Sequence, residues 1–139
     1  MLLFLLIENP EIFGYRGRIF MQKGYFMEAL MDFSVAIMLE KAKPKDPNDI
    51  NKVGQKKEKS ILHLYYCGAG QAHYELAQFQ EALVHFDTAI ADEANGNNYL
   101  NRGLTYMKLN NFTKAETDLN KALTMYMNAK KGEGESGSG

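Results

Sequence analysis

Small, aromatic and alanine positions recur in three stretches of the chain at helical spacing. In each stretch an aromatic residue is followed by glycine after four positions, by an aromatic or histidine after three more, and by alanine after nine more. The glycines are Gly17, Gly70 and Gly103, and the alanines are Ala29, Ala82 and Ala115. Intervals of three, four and seven put apolar residues on one helical face, and no run alternates with the period of two that a strand needs. The pattern predicts an all-α chain.

Polar and turn-forming residues interrupt each stretch between its glycine and its alanine. They predict turns at residues 22–25, 76–78 and 109–111, each followed by a helix that opens with good helix formers. A second alanine closes each stretch, at Ala36, Ala89 and Ala122. Each stretch is therefore expected to be a pair of helices.

Seven positions keep their register in all three stretches, and the second and third are 33 residues apart. They resemble the tetratricopeptide repeat (TPR), a helix–turn–helix unit of about 34 residues with the pattern W-x2-L-G-x2-Y, A-x3-F, A and P. The pattern's Leu is replaced by Arg16, Ala69 and Arg102, and its closing Pro is absent. The resemblance covers residues 10–129 and implies TPR helix-turn-helix repeats stacked in a right-handed α-solenoid.

The repeats divide the chain into predicted segments. These are an apolar N-terminal segment (1–9), a first repeat (10–43), a basic insertion (44–62), a second repeat (63–95), a third repeat (96–131) and a Gly/Ser/Glu tail (132–139) predicted to be disordered.

The insertion is the main irregularity, since the first two copies are 53 residues apart. Pro44 and Pro47 should end the preceding helix, and a loop followed by an extension of the next helix is predicted, with Gly54 as a weak point. Its lysines form either a solvated surface or a basic contact for an acidic partner segment or lipid headgroup.

The apolar run at residues 1–7 is far shorter than the roughly 20 residues of a membrane-spanning helix, and it lacks the basic start and small cleavage residues of a secretory signal. We expect it to pack on the first repeat or to belong to a longer array. The last helix of the third repeat is apolar and no capping helix follows it. The chain is therefore expected to be a piece of a larger repeat protein, or to complete its core by binding, and its exposed ends can drive self-association.

Charge and residue chemistry narrow the function. A net charge of −1 argues against the broad positive field of a nucleic-acid binder, and a single cysteine, Cys67, is compatible with a reducing compartment, so a cytoplasmic location is expected. His63 and Cys67 are four residues apart, but a structural zinc site wants four ligands. No nucleotide-binding or hydrolase motif occurs, so we expect no enzyme activity, no cofactor and no metal.

The family resemblance implies recognition of a partner peptide or helix in a concave groove lined by the first helix of each repeat. The residues predicted to line this groove are Arg18, Met21, Leu64, Gln71, Tyr74, Asn97, Leu100, Asn101, Leu104 and Met107. Glu11 and Cys67 also fall on these helices at groove positions. The alternative is that these surfaces contact chain neighbours in a longer solenoid, or that the chain is the docking module of an enzyme whose catalytic domain lies elsewhere.

Chaperone-binding members of the family grip a C-terminal carboxylate with two Lys, two Asn and one Arg. The corresponding positions here are Gly14, Arg18, Gly68, Asn97 and Asn101. No member of this clamp is kept, so a co-chaperone of that type is the least favoured reading.

Overall fold

The structure, a computed structural model, describes residues 9–44 and 60–136 of the chain, and all regular secondary structure in these ranges is α-helical. The helices are α1 (Pro10–Lys23), α2 (Phe26–Ala42), α3 (Leu62–Glu75), α4 (Phe79–Asp92), α5 (Gly96–Lys108) and α6 (Phe112–Ser136). The predicted all-α class is confirmed, and each predicted turn separates two helices. No helix within the described ranges is long and apolar enough to cross a membrane.

The helix ends follow from local chemistry. The Asn9 side chain caps α1 by accepting a hydrogen bond from the Glu11 amide at 3.0 Å, with Pro10 in the first turn. One residue in each turn has positive φ: 80° at Gly24 and 59° at both Ala77 and Asn110. These three residues occupy the same repeat position, so the same reversal of the chain is built three times.

Each helix packs most closely on its hairpin partner, and α3 and α5 then pack on the hairpin before them. The repeat glycines allow this contact. A Cβ at Gly17 would lie 3.1 Å from the Phe33 ring, and one at Gly70 only 2.6 Å from the Phe86 ring. The six repeat alanines are also buried, so small residues bring helices together around Phe33 and Phe86. This explains why glycine, aromatic and alanine recur in register.

A bidentate ion pair joins the two helices of the first hairpin and of the third. Arg16 donates to both carboxylate oxygens of Asp32 at 2.7 and 2.8 Å, and Arg102 does the same to Asp118. In the second hairpin, the equivalent positions hold Ala69 and His85. The arginines that depart from the repeat pattern therefore have a partner sixteen residues later, and bidentate pairing makes them compatible with the core.

The structure differs from the predicted boundaries at two places. The helix α3 begins at Leu62, and Ser60 and Ile61 before it are not helical, so no helical extension runs directly into α3. Instead, Asp92 at the end of α4 accepts hydrogen bonds from the Ser60 hydroxyl and the His63 amide, both at 2.8 Å, and so fixes the start of α3. The rest of the insertion after Pro44, with Gly54, lies outside the described residues.

The C-terminal tail also departs from its prediction. Since α6 continues to Ser136, residues 132–136 are helical where disorder is predicted. Adding a residue to an existing helix costs far less than starting one, which favours this extension. Residues 137–139 and the N-terminal run 1–7 lie outside the described residues.

Candidate peptide-binding groove

The first helices of the three hairpins, α1, α3 and α5, lie side by side along one face of the molecule. We call this face the inner face. Residues widely separated in the chain are adjacent on it, because each hairpin returns its first helix to the same side. Residues of these helices line two pockets.

The central pocket has a volume of about 190 Å³ and is bordered by all three first helices. Its walls are Met21 from α1, Gln71, Tyr74 and Glu75 from α3, and Asn101 and Leu104 from α5, with Phe86 of α4 also lining it. Five predicted groove residues thus meet in one cavity. Its lining combines apolar side chains with two carboxamides and one carboxylate.

The second pocket, about 160 Å³ in volume, lies between α1 and α3 and is called the Tyr65 pocket below. Its lining residues are Glu11, Gly14, Tyr15, Arg18, Phe33, Ile61, Leu64 and Tyr65. Two predicted groove residues, Arg18 and Leu64, lie here together with Glu11. The predicted groove residues are therefore divided between two cavities.

The remaining predicted residues border neither pocket. On α5, Asn97 and Met107 are exposed and Leu100 is half-buried. Cys67 is only 6% exposed, and the Asn97 and Asn101 side chains donate to its sulfur at 3.5 and 3.4 Å. Cys67 falls at a groove position of the repeat, but two asparagines of the next hairpin cover its thiol.

We expect Cys67 to react slowly with thiol reagents in the folded protein. Burial raises the pKa of this thiol, and the two asparagine hydrogen bonds oppose the shift only partly. Less thiolate and less access should together slow alkylation by at least about tenfold relative to the unfolded chain. Mass spectrometry of iodoacetamide labelling with and without urea measures this difference, and equal rates would show that the sulfur is open to solvent.

Residues 97–126, which cover α5 and most of α6, match the tetratricopeptide repeat family. The third hairpin is a tetratricopeptide repeat. The family match covers the third hairpin, and the count of three TPR units stays a prediction based on the alignment of the stretches. No curated protein sequence matches the chain significantly.

Solved TPR structures share the fold of most of the chain. The Arabidopsis OM64 TPR domain superposes with a TM-score of 0.68 at 24% identity, covering 85% of this chain and 83% of its own. The second TPR of Spaghetti (RPAP3), solved bound to the HSP90 peptide SRMEEVD, also has a TM-score of 0.68, at 15% identity, and covers 90% of this chain and 99% of its own. At these identities the similarity establishes the TPR fold alone.

Packing explains two of the missing clamp residues. A Cβ at Gly14 would lie 2.5 Å from the Tyr65 ring, and a Cβ at Gly68 would lie 2.5 Å from the Phe33 ring. Both rings are buried in the interface between the first hairpin and α3. At these two positions, which would hold clamp side chains, the chain instead packs an aromatic ring against bare backbone.

The sequence prediction missed several residues that border the pockets. Glu75 and Tyr15 lie one helical turn after Gln71 and Glu11, so helical spacing alone could have found them. Phe86 and Phe33 belong to second helices, and their repeat positions predict only core packing. Tyr65 matches no position of the TPR pattern, and no sequence signal indicated that it borders a cavity.

Proposed function

We propose that this TPR chain is a non-enzymatic adaptor that binds a partner peptide or helix on its inner face, and that it acts in the cytoplasm. The main support is the central pocket, where Met21, Tyr74 and Leu104 from three different helices converge with Gln71 and Asn101. Apolar anchors with a few orienting polar groups are the usual composition of a peptide site. The free thiol of Cys67 agrees with a reducing compartment.

The polar groups of the central pocket favour a particular mode of contact. Gln71 and Asn101 can each donate and accept a hydrogen bond, which suits the amide and carbonyl groups of a peptide main chain. Met21 can adjust its unbranched side chain to different apolar residues. Glu75 supplies a negative charge, so a basic residue of the partner fits this end of the pocket better than an acidic one.

We do not propose binding of an acidic chaperone tail. Such a tail would meet Glu75 in the central pocket, and the clamp positions Gly14 and Gly68 have no side chain to offer. Among the five residues at the clamp positions, only Arg18 is cationic. It lines the Tyr65 pocket together with Glu11. The RPAP3 fold neighbour, with its HSP90 peptide, thus supports a protein partner in general.

A second candidate function is that of a segment within a longer TPR solenoid in a multiprotein assembly. Apolar residues are exposed on both outer helices: Ile12 and Ile19 on α1 at 56% and 54%, and Leu123 and Met127 on α6 at 59% and 53%. In a repeat array, surfaces at these ends are covered by the next repeat. The same residues could contact a second copy of this chain.

Replacing Leu104 with aspartate should weaken peptide capture strongly and leave the fold intact. Leu104 is 37% exposed, so a carboxylate there remains hydrated but introduces a charge at the apolar wall of the central pocket. Peptides selected from a random library on the full chain would be titrated against both proteins by isothermal calorimetry. We expect an affinity loss of at least about tenfold, the cost of one unpaired charge at an apolar contact.

Val84→Asp is the matched control, since Val84 is 63% exposed on α4 and borders neither pocket. It should bind the selected peptides as the original chain does, with unchanged circular dichroism. Binding that survives Leu104→Asp would exclude the central pocket as the site. Capture of no peptide at all, together with association of the chain in light scattering, would favour the solenoid-segment alternative.

A further inference from the structure

We infer that the Tyr65 pocket is an anchoring subsite for a neutral carboxamide, the side chain of a glutamine or asparagine in the bound partner. This inference rests on the proposed function for the origin of the side chain. The pocket itself is defined by the fold of α1 and α3, separately from the central pocket. Its chemistry can therefore be tested with a small amide.

An unpaired hydroxyl is the first observation. Tyr65 is 5% exposed, yet its hydroxyl has no hydrogen-bond partner among the described residues. Burial, together with the charges of Glu40 and Glu11, raises the pKa of Tyr65 to about 12, so the hydroxyl keeps its proton at neutral pH. A buried donor without an acceptor costs free energy, and a ligand oxygen in the pocket would remove that cost.

The charges around the pocket select the kind of oxygen. Glu11 borders the cavity and Glu40 acts on the same hydroxyl, so a second carboxylate entering there would be repelled. Arg18 on the same wall disfavours an ammonium group in turn. A carboxamide carries no net charge, and it presents an acceptor oxygen to Tyr65 or Arg18 and an N–H donor to Glu11.

The size and walls of the cavity favour glutamine, the longer of these two side chains. A volume of about 160 Å³ is close to that of an engineered cavity that takes a single benzene molecule. Phe33, Ile61 and Leu64 give it apolar walls that suit the methylene stem of glutamine. Gly14 makes this arrangement possible, because any larger residue there would displace the Tyr65 ring.

The test uses butyramide as the probe, with butyrate and n-butylamine as charged analogues of the same length. Each would be titrated into the full, ¹⁵N-labelled chain and followed by two-dimensional NMR. We expect saturable shifts at the amides of Tyr15, Leu64 and Tyr65 with butyramide, and weaker binding of both analogues. Tyr65→Phe should weaken butyramide binding by about five- to tenfold, the effect of one hydrogen bond.

Tyr25→Phe is the matched control, because Tyr25 is 51% exposed at the start of α2 and borders neither pocket. Glu11→Gln replaces the charged acceptor for the amide N–H with a neutral one and should also weaken binding of butyramide. Absence of a saturable shift, equal or tighter binding of butyrate, or an unchanged affinity in a folded Tyr65→Phe variant would each overturn the assignment. If selected peptides still bind in a Leu104-dependent manner while butyramide does not, the carboxamide subsite is refuted and the adaptor proposal stands. If butyramide binds but no peptide ligand can be selected, the adaptor proposal is contradicted instead.

Discussion

Replacing Phe86 with alanine is expected to lower the free energy of unfolding by about 3–5 kcal/mol, the usual cost of removing a large aromatic side chain from a core. Phe86 is 1% exposed and packs among Cys67, Ala82 and Ala89. Its ring lies against the backbone of Gly70, and a Cβ atom at that position would collide with the ring. The cavity left by the ring cannot close without moving α3 against α4.

The same substitution should enlarge the central pocket, since Phe86 borders it. We therefore expect weaker binding of selected peptides even under conditions where the variant remains folded. Urea unfolding followed by circular dichroism measures stability, and calorimetry measures binding. Phe112→Ala is the control of equal chemistry: Phe112 is 63% exposed at the start of α6, so its loss should change stability by less than about 0.5 kcal/mol. Similar losses in both variants would show that Phe86 is not part of a packed core.

The second large effect is expected at Asp118. Substituting asparagine leaves Arg102 without its bidentate carboxylate, in a hairpin where the arginine side chain is only 22% exposed and Asp118 is 3% exposed. Breaking a buried pair by removing one partner typically costs about 3 kcal/mol or more. Asp87 still pairs with Arg102 at 3.0 Å and should offset a small part of the loss.

Asp32→Asn provides the matched comparison, because Asp32 occupies the same repeat position in the first hairpin. Its partner Arg16 is 57% exposed and can be hydrated when the carboxylate is removed. The expected loss is about 1–2 kcal/mol, that of hydrogen bonds to a charged group partly screened by solvent. Urea unfolding of the two variants tests the ranking, and a greater loss for Asp32→Asn would contradict the role given to burial of the arginine.

The helices and turns were predictable because the same pattern of residues occurs in three aligned stretches of the chain. Gly24, Ala77 and Asn110 differ in type, yet the register of the stretches places a turn at each of them. The ion pairs were missed, although the sequence contained a signal. Arg16 and Arg102 each have an aspartate sixteen residues later, whereas Ala69 has a histidine at that position. Two arginines that break an apolar pattern, together with two aspartates at the same spacing, indicate an ion pair in each of these hairpins.

The inner face was predictable only in part. Helical register assigns Met21, Gln71 and Leu104 to the same side of three helices, and these residues do share a pocket. Whether a residue of this face is buried depends on its contacts with the neighbouring hairpin, and the sequence of one helix does not reveal those contacts. Thus Cys67 is covered by asparagines of α5, and Tyr65 reaches Gly14 of α1 from 51 positions away.

The aromatic rings that fill the space beside Gly14 and Gly68 limit how this face can be redesigned. Side chains cannot be added at these two positions of α1 and α3 without displacing Tyr65 or Phe33. On α5, by contrast, Asn97 and Leu104 are exposed and have room for exchange. New binding specificities are therefore best introduced by substitutions on α5 of the third hairpin, while the first two hairpins are kept unchanged.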